Sequence, residues 1–276
     1  MPTRHPPVLV LGMPRSGTTW VGRILGDAPD ALYFNEPLSE VHVAEQRRAT
    51  FFEVDPDNPP PSYVWPARFA GAGVPAFGAR TVAAVGPLAR LGKRVVFKEV
   101  NPLAIEWFTR TLSPTLIYLV GHPAAVAVSL DERGWGWDGI YAQRFLEATR
   151  PQLPVVPANF WGRIGAIQGI ALARATTVTA LVTYEDLCRD PQPWFLDLFE
   201  LCGLTWTHAV AASLVASTSG STVRGAEDPL GTTRNTVEMA NAWRERITPQ
   251  QLADVRAGWD ATNPSATPTA STGNPV

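Results

Sequence analysis

Cysteine, histidine and charged residues are all scarce in this chain of 276 residues. The two cysteines, Cys188 and Cys202, are too few for a disulfide framework, and their helix-like, partly apolar surroundings predict buried, reduced thiols. Four histidines, with no zinc-site spacing and no EF-hand loop, give no indication of a bound metal. Charged residues make up 17% and the formal net charge is −2, which argues against nucleic-acid binding through bulk charge.

Long apolar runs are missing as well. No stretch reaches the roughly 18 apolar residues that cross a membrane, and the N-terminus, Met-Pro-Thr-Arg-His-Pro-Pro, does not resemble a signal peptide. We therefore expect a soluble cytoplasmic protein without stable membrane insertion. The sequence leaves the oligomeric state open.

Proline, by contrast, is abundant, with 26 residues against roughly 14 expected at about 5%. Many of these prolines lie in segments that read as loops. Residues 52–66 are rich in proline and predict a loop or lid. Residues 133–139 combine two tryptophans with three glycines and predict a flexible segment.

Short apolar runs alternate with helical patterns along most of the chain. Strands are predicted at 8–11, 94–97, 116–120 and 178–182, and helices at 18–26, 79–91, 101–111, 123–132 and 158–174. From residue 191 onward only helical patterns occur, at about 191–202, 206–215, 237–246 and 248–259. This order predicts an α/β fold in which helices flank a mostly parallel sheet, with a helical C-terminal part. We expect one domain over 1–259 and a disordered tail over 260–276, which has no apolar periodicity.

A glycine-rich turn joins the first predicted strand to the first predicted helix, with the sequence Gly12-Met-Pro-Arg-Ser-Gly17-Thr18-Thr19. Glycines let the backbone approach a phosphate closely, and a helix N-terminus supplies N–H donors and a favourable dipole. The Gly-x4-Gly spacing matches the Walker A frame, but Thr18 stands in the place of the lysine and the cation is Arg15, inside the loop. This disfavours an ordinary ATPase or GTPase. The alternative is a tight turn with Thr18 as the helix cap.

The segment 14–20, Pro-Arg-Ser-Gly-Thr-Thr-Trp, resembles the 5′-phosphosulfate-binding loop of sulfotransferases that use 3′-phosphoadenylyl sulfate (PAPS) and release 3′,5′-adenosine bisphosphate (PAP). The resemblance implies a P-loop NTPase-like fold and a set of residues around the 5′-phosphate and sulfate, namely Arg15, Ser16, Gly17, Thr18 and Thr19. It also implies that Trp20 packs beside the adenine, although Trp20 suits the core of the first helix equally well. The Arg-Ser-Gly-Thr-Thr form and the step Asn35-Glu36-Pro37 are more similar to bacterial and carbohydrate-type members.

Later segments match the same family in order, from about residue 8 to residue 252. Lys98, after Val-Val-Phe, resembles the lysine that points at the transferring group. Residues 119–129 resemble the 3′-phosphate segment, which implies a contact from Ser129. Tyr184, in Thr-Tyr-Glu-Asp-Leu, is a structural residue and a candidate adenine contact, and Trp243 with Thr-Pro at 248–249 resembles the C-terminal stretch of the family.

Two departures from the family pattern concern the site. The usual arginine for the 3′-phosphate falls on Gly121 and the aspartate place on His122, so a guanidinium fork is missing there. His122 is therefore a candidate phosphate contact, with a strand-end histidine bonded to the backbone as the alternative. A later loop contains Arg224 and Arg234, either of which could contact the 3′-phosphate. We predict that Arg234 does so. The histidine that many cytosolic members carry after the second strand is Val100 here.

Glu36 is therefore the predicted base. The first helix runs about 13 Å from the loop at 1.5 Å per residue, and an extended segment over 32–36 returns about 16 Å at 3.3 Å per residue. Pro37 is expected to keep Glu36 extended. Glutamate at this point is also implied by the resemblance to carbohydrate-type members, and the fallback bases are Glu99, Glu40 and His42.

These residues suit sulfuryl transfer, which requires positioning, charge stabilisation and a proton acceptor. Arg15 and Lys98 supply the positive charge, and Lys98 is one of only two lysines in the chain. We expect PAPS-dependent transfer to a hydroxyl of a small molecule, glycoside or lipid. The alternatives are an aryl sulfate as donor, a small-molecule P-loop kinase, and a scaffold that binds a nucleotide without catalysis.

Overall fold

The computed structural model describes residues 6–38, 54–59, 93–134, 157, 159–218 and 240–262. Within these ranges five parallel strands form one sheet in the order β2-β3-β1-β4-β5. The strands are β1 (Val8–Gly12), β2 (Ala31–Asn35), β3 (Arg94–Glu99), β4 (Thr115–Val120) and β5 (Ala180–Thr183). Because β1 lies between β3 and β4, the loops after these three strands meet at one edge of the sheet.

Helices cover both faces of the sheet. The helices are α1 (Thr18–Gly26), α2 (Ile105–Leu112), α3 (Pro123–Asp131), α4 (Phe160–Arg174), α5 (Tyr184–Arg189), α6 (Pro191–Leu201), α7 (His208–Thr218) and α8 (Pro249–Thr262), with short 3-10 helices at Pro102–Ala104 and Ala242–Glu245. No helix of the described ranges is long and apolar enough to cross a membrane.

Side chains alternate between two apolar cores on the two faces of the sheet. On one face Leu9 and Phe97 pack with residues of α2, α3, α4 and α8. On the other face Val10 and Val96 pack with residues of α1, α6 and α7. Every residue of β1 is buried, as expected for a central parallel strand that is covered on both faces.

The predicted fold class is confirmed, and so are the four predicted strands and the helices at 18–26, 101–111, 123–132, 158–174, 191–202 and 206–215, within a few residues at each end. The extended segment predicted at 32–36 is β2, and α5 had not been predicted. Helix α8 continues to Thr262, three residues past the expected end of the domain. The helix predicted at 79–91, most of the segments 52–66 and 133–139, and the tail after 262 lie outside the described residues.

Glycines bring α4 and α8 into close contact at the edge of the core that contains residues of α2, α3, α4 and α8. A Cβ on Gly258 would overlap the carbonyl oxygen of Gly162, and a Cβ on Gly165 would overlap that of Val255. These contacts are between main chains, so neither helix can move aside locally. The pair encloses Ile164 and Val255 in the core that covers one face of the sheet.

Candidate active site

The glycine-rich turn after β1 has the shape of an anion-binding loop. Gly17 has a φ of +90° and immediately precedes α1, which has no side-chain cap, so Thr18 does not cap the helix. Arg15 also has a positive φ, +73°, which is uncommon for a residue with a side chain. The first turn of a helix has N–H groups without intrahelical acceptors, and these groups face the loop.

Ser16 and Gly12 hold the loop together from within. The buried Ser16 donates from its hydroxyl to the carbonyl oxygen of Met13 at 2.6 Å and from its amide to the same oxygen at 3.2 Å. A Cβ on Gly12 would lie 2.5 Å from the carbonyl oxygen of Leu119 in β4 and 2.8 Å from the Ser16 hydroxyl, so a glycine is required at this position. The Ser16 side chain therefore shapes the loop, and Thr18 is buried beside it while Thr19 is partly exposed.

Arg15 connects this loop to α3. Its Nε donates to the Oγ of Ser129 at 2.9 Å, across 114 residues of sequence. Gly121, at the end of β4, lies next to the same loop, since a Cβ placed on it would be 3.4 Å from the Cα of Ser16. The two segments predicted to bind phosphate groups are thus adjacent, with one guanidinium between them.

Lys98 and Glu36 form an ion pair at the carboxyl edge of the sheet. The Lys98 ammonium bonds to Oε1 of Glu36, and the lysine side chain is 2% exposed against 22% for the glutamate. Burial lowers the pKa of Lys98, and nearby Arg15 lowers it further, whereas Glu36 opposes both effects. The structure therefore brings together the three residues predicted to be catalytic.

The backbone at Glu36 differs from the expectation. β2 is extended only through Asn35, and Glu36 itself has a left-handed φ of +47°, so the prediction that Pro37 keeps it extended is wrong. The Glu36 amide still donates to the carbonyl oxygen of Lys98 at 2.8 Å. The chain thus turns away from the sheet at Glu36 while that residue stays attached to β3.

Glu99, a fallback base in the sequence analysis, is buried next to this pair. Its Oε1 accepts a hydrogen bond from the amide of Leu38 at 2.6 Å, and burial raises the pKa of its carboxyl to about 8. A carboxyl that holds a backbone amide in a buried position is not free to approach a substrate. The sequence offered no signal for this bond, because Leu38 and Glu99 are 61 residues apart.

His122 caps α3 with its side chain. Its Nδ1 accepts from the amide of Ala124 at 3.2 Å, and the ring stacks on Trp243 with 4.3 Å between centroids. Burial, with a smaller effect from Arg244 and Arg256, lowers the pKa of His122 to about 4. The ring is therefore neutral at physiological pH, with its proton on Nε2, and can offer one donor but no charge.

Glu185, which the sequence analysis had not singled out, also supports this corner. Its Oε1 accepts from the amide of His122 at 2.9 Å, so α5 is joined to the loop after β4. The bond is between residues 63 apart in sequence and could not be read from local pattern.

Trp20 and Tyr184 both pack in the core that contains residues of α1, α6 and α7, and Tyr184 also lies against the loop. The indole N–H of Trp20 donates to the Ser217 hydroxyl at 2.8 Å, and its ring lies edge-on to Phe195. A Cβ on Gly17 would overlap the ring of Tyr184, so this ring lies directly on the loop. Trp20 also lines a cavity of about 280 Å³ with residues of α1, β2 and α7, among them Arg23, Tyr33, Ser213 and Ser217.

The remaining candidates lie outside the ranges that the structure describes: Arg234 and Arg224, and the fallback bases Glu40 and His42. Over those ranges there is no group of three or more His, Cys, Asp or Glu side chains that could hold a metal ion.

Three solved structures with a similar fold are distant in sequence. Mouse sulfotransferase SULT7A1 complexed with PAP is 15% identical, with 96% of this chain and 86% of that chain covered and a TM-score of 0.48. The sulfotransferase domain of the Synechococcus PCC 7002 olefin synthase is 18% identical, with coverages of 94% and 95% and a TM-score of 0.49. The sulfotransferase domain from the curacin biosynthetic pathway is 15% identical, with coverages of 92% and 98% and a TM-score of 0.49.

No curated protein sequence matches the chain significantly. The family model described as the sulfotransferase domain matches residues 5–261, almost the whole length. That span contains the loop, the Lys98–Glu36 pair and the strand order described above, and the chain therefore belongs to the sulfotransferase family.

Proposed function

We propose that this enzyme transfers a sulfuryl group from PAPS to a hydroxyl of a small molecule, glycoside or lipid and releases PAP. The observation that carries the proposal is the Lys98–Glu36 ion pair beside the glycine-rich loop and Arg15. It combines a carboxylate that can accept a proton with two cations that can stabilise an anionic leaving group. Membership of the sulfotransferase family supports the type of reaction.

The loop suits the phosphosulfate end of such a donor. The amides at the start of α1 and the cations Arg15 and Lys98 favour a group with several negative charges, and the left-handed conformation of Gly17 shapes the loop in front of those amides. Thr18 and Thr19 add hydroxyl donors at the same helix end. We assign adenine to the cavity beside Trp20, with Tyr184 next to the loop.

The transfer would then require little covalent chemistry from the protein. The acceptor oxygen forms a bond to sulfur as the bond from sulfur to the 5′-phosphate oxygen breaks, and the acceptor proton passes to Glu36. Lys98 and Arg15 stabilise the charge that develops on the sulfuryl oxygens and on the leaving phosphate. Lys98 also holds the Glu36 carboxylate in place through their ion pair.

Replacement of Glu36 by glutamine tests this assignment. We expect Glu36→Gln to lower the release of PAP from PAPS by about 10²- to 10⁴-fold, the usual contribution of a general base. The assay would use a panel of simple alcohols, phenols and sugars as acceptors, with water alone as the baseline. Affinity for PAP, measured by calorimetry, should change little.

Glu106→Gln is the matched control, because Glu106 is an exposed carboxylate on α2. It should leave turnover unchanged. Turnover in Glu36→Gln equal to that of the wild type would show that Glu36 is not the base.

The glycine at position 121 favours a second candidate, a sulfotransferase with an aryl sulfate donor. The family places an arginine for the 3′-phosphate here, and the neighbouring His122 is neutral, so this corner provides less charge for that group. If the donor is PAPS, we propose that other residues bind its 3′-phosphate in place of the missing arginine. These are Ser129, the Arg15 guanidinium bonded to Ser129, and Arg234.

Calorimetric titration with PAP beside AMP distinguishes the two donors. We expect PAP to bind at least tenfold more tightly than AMP, about 1.4 kcal/mol, if a 3′-phosphate site exists. Equal affinities would contradict PAPS as the donor and favour the aryl sulfate.

A further inference from the structure

Glu99 is an ionisable residue that the proposed reaction does not use and that nevertheless lies inside the site. It is the last residue of β3 and 1% exposed. Burial of a carboxyl is unfavourable unless its oxygens receive hydrogen bonds. Its position directly after Lys98 therefore requires an explanation.

The hydrogen bonds of Glu99 converge on the turn that carries Glu36. Its Oε1 accepts from the amide of Leu38 at 2.6 Å. On the other side of the turn, the Glu36 amide donates to the carbonyl oxygen of Lys98 at 2.8 Å. The three residues from Glu36 to Leu38 are thus attached to β3 at both ends, once through the backbone and once through the Glu99 carboxyl.

The turn needs such a second attachment. Glu36 has a φ of +47°, a conformation that costs a residue with a side chain about 1–2 kcal/mol. β2 has ended at Asn35, so regular pairing with β3 no longer holds the chain after this point. The bond to Glu99 supplies the restraint on the far side of the strained residue.

We propose that Glu99 is a positioning residue, which holds the turn from Glu36 to Leu38 against β3 and so keeps the Glu36 carboxylate on Lys98. The inference rests on the proposed function, in which Glu36 accepts the proton of the acceptor. Glu99 acts on the reaction through the turn and touches neither donor nor acceptor.

The charge of Glu99 adds a measurable consequence. Its carboxyl faces Glu36 and Lys98 and accepts hydrogen bonds from the amides of Leu38 and Val100. Because burial outweighs these bonds, its pKa is raised to about 8, and the group is neutral at pH 7. Above about pH 8 the Glu99 side chain becomes a second carboxylate beside Glu36, and its negative charge opposes the approach of an anionic donor.

Two substitutions separate the hydrogen bond from the charge. Glu99→Gln keeps an oxygen that can accept from the Leu38 amide and does not ionise, whereas Glu99→Leu removes the acceptor at similar volume. The measurements are PAP release from PAPS between pH 6 and 9.5, with the best acceptor of the panel, PAP affinity by calorimetry, and thermal unfolding.

We expect Glu99→Leu to lower kcat by about 10- to 100-fold at pH 7, with KM for PAPS changed less than about threefold, because a small displacement of the base is costly. Glu99→Gln should retain kcat within about threefold at pH 7. Its decline in activity on the alkaline side should begin at a higher pH than in the wild type.

A kcat of the wild-type value in folded Glu99→Leu would overturn the proposal. A fall in kcat of tenfold or more at pH 7 in Glu99→Gln, which keeps the acceptor for the Leu38 amide, would overturn it as well, and this second test stands even if Glu99→Leu does not fold. An alkaline decline in Glu99→Gln at the wild-type pH would assign that decline to a group other than Glu99. The failure of Glu36 as base is separate, because it shows as full turnover in Glu36→Gln.

Discussion

Lys98 shows how much a single residue depends on the fold around it. The side chain of Lys98 is buried. Its aliphatic part packs closely against α1, where a Cβ added to Gly22 would lie 3.1 Å from the Cβ of Lys98. A lysine so deeply buried is stable as a cation only with a partner, and Glu36 is that partner. The scarcity of lysine drew attention to Lys98 in the sequence. Its partner Glu36 is 62 residues away and was predicted only from the estimated lengths of the first helix and the returning segment, and from the family resemblance.

Lys98→Met removes the ammonium and keeps most of the stem. We expect turnover of PAPS to fall by about 10²- to 10³-fold, as for other groups that stabilise developing charge. Lys93→Met is the matched control, since Lys93 is exposed and is the other lysine of the chain. Steady-state kinetics of both variants checks the prediction, and an equal loss in the two would contradict a specific role of Lys98.

At the scale of elements, the junction of β1 and α1 is the best predicted part of the molecule. Helix α1 has the bounds 18–26 that the apolar stripe indicated, and the loop before it follows from its glycines. The attachment of this loop to other elements was not predictable, since the Tyr184 ring on Gly17 and the bond from Arg15 to Ser129 join distant segments. Tertiary packing brought α5 and α3 to the loop.

Gly17→Ala tests that junction. Gly17 and Gly134 both have a positive φ, +90° and +65°, so alanine should cost each about 1–2 kcal/mol of stability from backbone strain. At Gly17 the new Cβ would also overlap the Tyr184 ring, whereas at Gly134 no atom lies within 4 Å. Urea unfolding should show a larger loss for Gly17→Ala, and PAP affinity should fall at least tenfold only in that variant. Equal losses of PAP affinity would argue that the loop at Gly17 does not contact the nucleotide.

At the scale of the whole molecule, stability depends on how closely α4 and α8 approach each other. Their glycines allow main-chain contact between segments far apart in the chain, since Gly162 and Gly258 are separated by 96 residues. The helices were predicted from sequence, but their pairing was not, because glycine inside a helix gives no indication of which partner it faces. This pairing encloses the core on one face of the sheet.

Gly258→Ala should therefore be among the more damaging single-methyl changes. The added Cβ would overlap the carbonyl oxygen of Gly162, and main chain on both sides cannot yield locally. We expect a loss of about 3 kcal/mol, which corresponds to a fall in Tm of roughly 6–12 °C for a domain of this size. Ala257→Ser, at an exposed position of the same helix, is the control and should leave Tm within about 2 °C. Differential scanning calorimetry makes the comparison, and unchanged Tm in Gly258→Ala would show that the helices are farther apart.

Local pattern in the sequence determined the elements that depend on neighbouring residues: the buried strands, the amphipathic first helix, the glycine-rich loop and the family to which they belong. Two of the three predicted catalytic residues, Arg15 and Lys98, follow from motif position and from the rarity of lysine. Only the tertiary structure decided what each side chain touches. The Glu99 carboxyl holds Leu38, just after the left-handed turn at Glu36, and the Arg15 guanidinium holds Ser129 of α3, so both bonds join segments that the fold brings together. Such hydrogen bonds join atoms about 3 Å apart in residues that are 61 to 114 positions apart in the chain. A local sequence pattern therefore cannot predict them.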